Sequence, residues 1–170
     1  KHTSGGSIGY MPQKNYAYRM STRANILLNG TDTDRAERLM DAISIRHLEH
    51  KRADRLSGGE TARMALVRLM MKSYDLVLLD EPTAVLTAQE TEELFGVIRR
   101  IVKEKNMTVI MITHRLPEVM QISDRVGVMR RGKMIDVLRT RDTSEQGISS
   151  LMVGRDVIFD DLRTEQESGE

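Results

Sequence analysis

Two short apolar segments, separated by a long helical pattern, constrain the fold of this chain most strongly. Leu76–Asp80 and Thr108–Ile112 are almost entirely apolar, which is typical of parallel strands buried on both faces of a sheet. Between them, Thr87 and Glu90 form the pattern of a capping box, and apolar residues then recur at helical spacing as far as Asn106. A strand, a helix and a second strand in this order predict a βαβ crossover, and therefore an α/β fold with a parallel sheet.

The rest of the chain predicts four more helices and one hairpin, each marked by a capping pattern, an apolar period or a turn. The predicted segments are a helix over Ser21–Leu28, a helix opened by the capping box of Asp34 and Glu37, a helix that follows Leu56–Glu60 and ends near Ser73, a hairpin around Arg130–Lys133, and a helix capped by Thr143 and Gln146 that runs to about Val153.

The turn Leu56–Glu60 and the acidic pair after the first apolar segment together indicate a site for a nucleoside triphosphate. An anion can approach the backbone N–H groups of Ser57–Gly59 closely because glycine has no Cβ, and a helix beginning there would add a positive dipole. Asp80 and Glu81 end the predicted strand, where two carboxylates suit Mg²⁺ and an activated water. Each motif alone has a structural interpretation, as a simple turn or a capped strand end.

Two more motifs make the combination specific. Gln13 ends the segment Gly9–Gln13 upstream of the turn, and Thr113 and His114 follow the second apolar segment. The order and spacing of the four motifs resemble those of the ATP-binding cassette (ABC) superfamily, in which they are the Q-loop, the signature motif, the Walker B strand and the switch histidine. The resemblance covers residues 8–155 and implies a P-loop NTPase-like fold, with a parallel sheet core and a helical signature subdomain.

The resemblance also implies catalytic roles for the matching residues. Asp80 and Gln13 would hold Mg²⁺, and Gln13 would also contact the attacking water. Glu81 would act as the general base for that water, and His114 would hydrogen-bond the γ-phosphate of ATP and help to orient the water.

The signature turn would contribute to a second part of the site. By resemblance, Ser57, Gly58, Gly59 and Glu60 would bind an ATP molecule held by a second, facing ATPase domain, so that two domains share the site. The segment Lys14–Arg23, which follows the Q-loop, would meet a transmembrane permease.

Composition limits the partners and the compartment. The chain has 26 Lys and Arg residues and 25 Asp and Glu residues, a net charge of +1, so its overall charge supplies no field to attract nucleic acid, and we expect no nucleic-acid partner. It contains no cysteine, which excludes disulfides and fits a reducing compartment. No apolar run approaches the roughly 20 residues that span a bilayer. We therefore expect a cytoplasmic protein, peripheral on the inner face of the membrane.

The resemblance predicts the domain boundaries as well. Residues 1–155 would form a partial ABC ATPase domain, with the helical subdomain at about 14–73, and the acidic residues 156–170 would form a linker or tail. No Gly-x-x-x-x-Gly-Lys-Ser/Thr loop precedes Gln13, and this loop normally grips the β- and γ-phosphates. We therefore expect these residues to be about the C-terminal two thirds of the domain, without its N-terminal strands and Walker A loop, and to be inactive alone.

Within the superfamily, the resemblance points in two directions. Glu81–Thr87 and Leu151–Arg155 resemble the first ATPase domain of simple-sugar and nucleoside importers, in which two ATPase domains share one polypeptide. Gly9–Gln13 and Leu56–Arg63 resemble stand-alone importer ATPases, some of which serve oxyanions. We expect an ATPase subunit that drives the transport of a small solute through a permease, and we favour a simple sugar or nucleoside as that solute over an oxyanion. A solute-binding protein would be an indirect partner.

Two soluble classes carry the same catalytic motifs. They are the ABC-type ATPases of DNA maintenance, whose heads are interrupted by long coiled coils, and those of translation. Glu118–Val126 and the predicted hairpin at Arg130–Lys133 instead resemble transport ATPases, which favours the importer.

Overall fold

The computed structural model describes residues 6–105 and 107–154, and these residues fall into two compact units that divide between Thr113 and His114. The strands are β1 Ile8–Met11, β2 Leu76–Asp80, β3 Thr108–Ile112, β4 Arg125–Arg130 and β5 Lys133–Arg139. The α-helices are α1 Thr22–Leu27, α2 Thr33–Ala42, α3 Gly58–Met70, α4 Ala88–Lys105, α5 Leu116–Ile122 and α6 Glu145–Val153.

A parallel sheet organises the first unit. Its strand order is β1-β2-β3, and β2 pairs in parallel with both neighbours. The β2-α4-β3 segment confirms the predicted βαβ crossover and the predicted α/β class. Because Met11 pairs with Leu79, and Asp80 pairs with Ile112, the carboxyl ends of all three strands lie at one edge of the sheet. Residues that immediately follow these strands therefore leave the sheet at the same edge.

The prediction that both strands are buried on both faces was wrong for β3 and only partly correct for β2. In β3, Ile110 and Ile112 are 48% and 47% exposed. In β2, Val77 and Leu79 are buried, whereas Leu76, Leu78 and Asp80 are half-buried. Among the described residues β3 pairs only with β2, so it is an edge strand and its side chains have fewer neighbours than those of the central strand.

The helices of the first unit bury apolar faces against one another, and α3 also packs against β1. The largest fully buried side chains of this unit include Ile26, Met40, Met64, Leu79 and Phe95. The helix predicted over Ser21–Leu28 is confirmed as α1. Leu39 and Met40 of α2 and its C-cap residue Ile43 are all buried.

The predicted cap of α2 was wrong by two residues. Asp34 and Glu37 were expected to form a capping box, but Asp32 is the N-cap, and its Oδ1 accepts a hydrogen bond of 2.9 Å from the Arg35 N–H. Glu37 instead pairs with Arg23 at 2.7 Å. Asp32 and Asp34 are both residue types that cap helices well, so the sequence pattern did not separate them. Glu37, which would have completed the predicted capping box, instead forms the salt bridge with Arg23.

The second unit contains α5, α6 and the β4-β5 hairpin. The hairpin was predicted with Arg130–Lys133 as its loop, and it forms with a shorter turn, because Arg130 and Lys133 pair with each other. Only Arg131 and Gly132 remain in the turn, and both have positive φ values, of 50° and 73°. This backbone conformation matches the twist of antiparallel strands.

The last helix begins one residue later than its predicted cap implied. Thr143 and Gln146 were expected to cap it, but Ser144 is the N-cap and its Oγ accepts a hydrogen bond of 3.2 Å from the Gly147 N–H. Ile148 of this helix is buried with Val119 of α5 and with residues of β4, and these contacts form the core of the second unit.

Some predictions lie outside the described residues, namely the acidic tail at 156–170, Arg155 and the predicted helix end at Asn106. Within the described ranges, we find no helix with the length and apolar character required to cross a bilayer.

A buried asparagine anchors the segment that follows Gln13. Asn25 of α1 is fully buried, and its Oδ1 accepts a hydrogen bond of 2.8 Å from the Tyr18 N–H. Its Nδ2 donates to the carbonyl oxygens of Tyr18, Met20 and Ser21. One side chain thus satisfies several backbone groups of a segment that has no regular structure, and it fixes the path of this segment against α1.

We predict that Asn25→Leu lowers the free energy of unfolding by about 2–4 kcal/mol, because a side chain of similar volume leaves these buried polar groups without partners. Urea denaturation followed by circular dichroism measures the effect. The exposed Gln89→Ala substitution is the control and should change stability by less than about 0.5 kcal/mol. Equal stabilities of the two variants would contradict the anchoring role of Asn25.

Candidate nucleotide-binding site

The signature turn, Leu56–Glu60, caps α3. The Ser57 Oγ accepts a hydrogen bond of 3.1 Å from the Glu60 N–H, and the Glu60 Oε2 accepts one of 2.8 Å from the Ser57 N–H. This reciprocal pair is a capping box, and it confirms that a helix begins at the turn. Glu60, which was predicted to bind nucleotide, is thus engaged within the protein, where its carboxylate also contacts Lys51 Nζ at 2.9 Å.

A carboxylate of the protein itself binds to this turn. The Glu90 Oε1 accepts hydrogen bonds from the Ser57 Oγ, at 3.0 Å, and from the Gly59 N–H, at 3.2 Å. The Glu90 Oε2 accepts from the N–H and the Oγ1 of Thr87, at 3.1 and 3.2 Å, and the Thr87 Oγ1 accepts in return from the Glu90 N–H. The predicted capping box of α4 is therefore confirmed, and its glutamate also bridges to the N-terminus of α3.

Both glycines of the turn have close neighbours. A Cβ atom at Gly59 would lie 2.5 Å from the Glu90 Oε1, and one at Gly58 would lie 3.0 Å from the carbonyl oxygen of Val85. Real Cβ atoms essentially never approach other atoms as closely as 2.5 Å. The absence of a Cβ therefore lets an oxyanion reach the Gly59 N–H, as the sequence predicted for an anion in general.

Hydrogen bonds favour the ionised forms of both glutamates. The Thr87 N–H, and further donors on Ser57 and Gly59, lower the pKa of Glu90 below its ordinary value of 4.5. Partial burial raises the pKa of Glu60, but the Ser57 N–H and Lys51 outweigh that effect and lower it overall. Both helix N-termini thus hold carboxylates in their charged form.

The acidic pair lies at the carboxyl edge of the parallel sheet. Asp80 is the last residue of β2, and the Glu81 N–H donates a hydrogen bond of 2.9 Å to the carbonyl oxygen of Ile112 in β3. Glu81 has a positive φ of 45°, a conformation that costs free energy for a residue with a side chain. The chain therefore turns sharply out of the sheet after Asp80, and the Oε2 of Glu81 is fully buried.

Tyr10 orients the Asp80 carboxylate. Its hydroxyl donates a hydrogen bond of 2.9 Å to the Asp80 Oδ2, and this bond is the main reason that the pKa of Tyr10 is raised. Tyr10 was not among the residues predicted from the sequence. The parallel register places Tyr10 opposite Leu78, two residues before Asp80 and on the same face of the sheet, so a correct alignment of the strands would have indicated it.

The two remaining predicted site residues follow strands. Gln13 is exposed and comes two residues after Met11, the end of β1, so it leaves the sheet at the same edge as Asp80 and Glu81. His114 comes two residues after the end of β3, begins the second unit, and is exposed. The parallel sheet thus brings Gln13, Asp80 and Glu81 to one edge.

Arg68 is a second residue that the sequence did not indicate. It lies on α3, and its Nη2 donates a hydrogen bond of 2.9 Å to the carbonyl oxygen of Tyr16. Burial lowers the pKa of its guanidinium group. This contact joins the segment after Gln13 to α3, the helix that begins at the signature turn.

The donors at the sheet edge fit a magnesium ion that is completed by phosphate and water. The described residues hold no cluster of three or more His, Cys, Asp or Glu side chains able to bind a metal by themselves. Mg²⁺ in phosphoryl-transfer sites, however, usually takes only one or two carboxylates and fills its other positions with water and substrate phosphates. Asp80 offers a carboxylate at this edge, and Gln13 offers an amide oxygen two residues after the end of β1. The contact of Glu90 with the signature turn shows that the turn accommodates an oxyanion.

The sequence resembles importer subunits. The family model described as ABC transporter matches residues 1–84. The chain is 39% identical over 104 residues to the nucleoside import ATP-binding protein NupA of Lactococcus lactis subsp. cremoris, covering 61% of this chain and 20% of NupA. It is 40% identical over 104 residues to the phosphonates import ATP-binding protein PhnC 1 of Ruegeria sp., covering 61% of this chain and 40% of that protein. The aligned region therefore spans well under half of each relative.

The fold resembles a solved ATPase as well. CbiO1 from Clostridium perfringens, part of the ABC transporter complex CbiONQ, matches with a TM-score of 0.74 and 24% sequence identity, covering 80% of this chain and 58% of CbiO1. This likeness confirms the P-loop NTPase-like fold that the motif order implied.

We predict that acid weakens the contact between Glu90 and the signature turn. A carboxyl group whose pKa is lowered by folding stabilises the protein above its ordinary pKa, and this contribution is lost as the pH falls through the lower, folded value. The melting temperature should therefore fall as the pH drops below about 4.5, and it should fall less steeply for Glu90→Gln than for the wild type. Gln89→Ala, on the same helix, removes no carboxylate and is the control, which should keep the wild-type slope.

Proposed function

Because this chain belongs to the ABC transporter family of ATP-binding proteins, we propose that it forms part of the ATP-hydrolysing subunit of an importer. In this proposal, residues 1–155 belong to the nucleotide-binding domain, and residues 14–73 form its helical subdomain. One observation carries the proposal: the Ser57 hydroxyl and the Gly59 N–H, at the N-terminus of α3, hold an oxyanion, in the same unit as the acidic edge at Asp80 and Glu81.

The signature turn would act on a nucleotide bound to a second, facing ATPase domain. Ser57 and Gly59 would donate hydrogen bonds to γ-phosphate oxygens of ATP, and the positive end of the α3 dipole would favour the phosphate charge. Gly58 keeps the turn close to the Val85 carbonyl, and Glu60 keeps Ser57 in its capping position. Of the four predicted residues, two would thus bind the phosphate directly and two would shape the turn.

The sheet edge would carry out the hydrolysis. Asp80, with Gln13, would hold a Mg²⁺ ion, which supplies positive charge to the phosphates and helps to neutralise the transition state. Tyr10 holds one oxygen of Asp80 and would thereby fix the direction of the other. Glu81 would accept a proton from the water that attacks the γ-phosphate, and His114 would hydrogen-bond that phosphate.

The segment after the Q-loop would meet a permease at the cytoplasmic face of the membrane. Tyr16 and Tyr18 are 76% and 54% exposed, and exposed tyrosines are favoured at protein interfaces because they combine a large apolar ring with a hydroxyl. Their backbones are held by Arg68 and Asn25. A firmly anchored segment with exposed aromatic rings supports this docking role.

For the transported solute we propose a nucleoside or simple sugar, supported by the likeness to NupA and by the sequence Glu81–Thr87. An oxyanion is the second candidate, supported by the likeness to PhnC 1. Uptake of labelled nucleoside, ribose and phosphonate by cells carrying the wild type or Glu81→Gln distinguishes the two. Loss of phosphonate uptake alone would reject the first candidate.

We predict that Glu81→Gln, in the intact protein, leaves ATP binding unchanged but slows turnover by about a hundredfold or more, because the amide keeps the shape of the side chain and loses the base. ATP-bound dimers should accumulate. Steady-state phosphate release and size-exclusion chromatography measure both effects, with Glu92→Gln as the control. Near-normal turnover would reject the role of Glu81.

We predict that His114→Ala reduces hydrolysis by about tenfold or more while the melting temperature changes little, since the exposed imidazole contributes to the reaction and not to the core. His50→Ala is a matched control, because the His50 side chain is also exposed and has no predicted role. Early melting of His114→Ala, with normal activity of the folded fraction, would show that His114 is structural.

A further inference from the structure

We propose that Glu90 is a positioning residue of the signature turn: its carboxylate holds the Ser57 hydroxyl and the Gly59 N–H, and a phosphate oxygen of ATP must replace it there. The inference rests on the proposed function, because it assumes that the turn binds phosphate. It adds a residue outside the four motifs, and it assigns to that residue an influence on the affinity for nucleotide.

The geometry supports direct competition. The Glu90 Oε1 lies 3.0 Å from the Ser57 Oγ and 3.2 Å from the Gly59 nitrogen, which are the two donors proposed to bind the γ-phosphate. It also lies only 2.5 Å from the place where a Cβ of Gly59 would be. The space that glycine opens beside its N–H is therefore filled by the carboxylate oxygen, and a phosphate oxygen cannot occupy the same space.

Charge makes the competition stronger. A carboxylate and a phosphate are both negative, so their close approach is repulsive and the first must withdraw before the second binds. Hydrogen bonds from the N-termini of two helices keep Glu90 ionised. The cost of removing this internal anion would lower the affinity of the turn for the nucleotide.

The second carboxylate oxygen of Glu90, Oε2, holds the side chain at the N-terminus of α4. The Glu90 Oε2 accepts from the Thr87 N–H and Oγ1, and these contacts cap α4 without using the donors of the signature turn. Glu90 thus has two separable tasks, one at each oxygen. A variant that alters the cap but keeps the contact with Ser57 and Gly59 can therefore test which task affects nucleotide binding.

Glu90→Gln tests the proposal in the intact protein. The amide has a similar shape but lacks the charge and has one accepting oxygen, so we expect the KM for ATP to fall about threefold or more while kcat changes less. We also expect the Gly59 amide to exchange with solvent about tenfold faster, because the one oxygen that remains is uncharged, is a weaker acceptor and is also needed by the Thr87 N–H. Hydrogen exchange needs no nucleotide, so it reports on the contact independently of ATP hydrolysis.

Two matched controls isolate the contact between the Glu90 carboxylate and the signature turn. Glu92→Gln makes the same change of charge at an exposed position of α4 and should alter neither the KM nor the exchange of Gly59. Thr87→Ala removes the hydroxyl from the cap of α4 and should not lower the KM. If Glu90→Gln does not fold, Glu90→Asp replaces it, since the shorter side chain keeps the charge but does not reach both helices, and the same faster exchange of Gly59 is expected.

The outcomes are distinct. Unchanged exchange of Gly59 in Glu90→Gln overturns the internal contact. Faster exchange with an unchanged or higher KM overturns the competition with phosphate, as does a lower KM in Thr87→Ala. If the Gly59 amide of the wild-type protein is protected from exchange but the protein hydrolyses no ATP, the proposed function is overturned. The proposed competition between Glu90 and ATP is then overturned as well, whereas the contact between Glu90 and the signature turn is confirmed.

Discussion

The parallel pairing of β2 with β1 and β3 is the interaction on which the candidate site depends. It places the ends of three strands at one edge of the sheet, so that residues far apart in the sequence, Gln13, Asp80 and Glu81, leave the sheet together. The hydrogen bond from the Glu81 N–H to the Ile112 carbonyl oxygen continues this pairing for one residue beyond β2. It holds Glu81 at a positive φ, a conformation that local preferences disfavour.

A second constraint is electrostatic and lies at the helix N-termini. The N–H groups at the start of α3 and α4 have no partners within their own helices. The Glu90 side chain accepts from one of them, that of Gly59, and Glu60 and Glu90 also accept from the N–H groups of Ser57 and Thr87, which immediately precede the two helices. Glu90 serves both helices at once. The same unpaired donors that make the signature turn suitable for phosphate therefore also attract a carboxylate from within the protein, and the stability of the turn and its affinity for an external anion are coupled.

The predictions from the sequence succeeded where the pattern was periodic and failed where similar residues were adjacent. The βαβ crossover and the capping box of α4 follow from long apolar repeats and a single possible cap. The caps of α2 and α6 were misplaced because neighbouring Asp, Ser and Thr side chains cap helices about equally well. The burial of β3 was overestimated because an apolar segment does not show whether a strand lies in the centre of a sheet or at its edge.

By itself, the sequence determined the order of the motifs, the parallel α/β class and the family, since these depend on residue type and on spacing along the chain. Only the tertiary structure decided which side chains meet. Tyr10 donates a hydrogen bond to Asp80, which is 70 residues away in the sequence, and Ser57 donates one to Glu90, 33 residues away. Arg68 donates one to the carbonyl oxygen of Tyr16, 52 residues away. No local pattern encodes such contacts, because they depend on strand register and on the packing of one helix against the next segment.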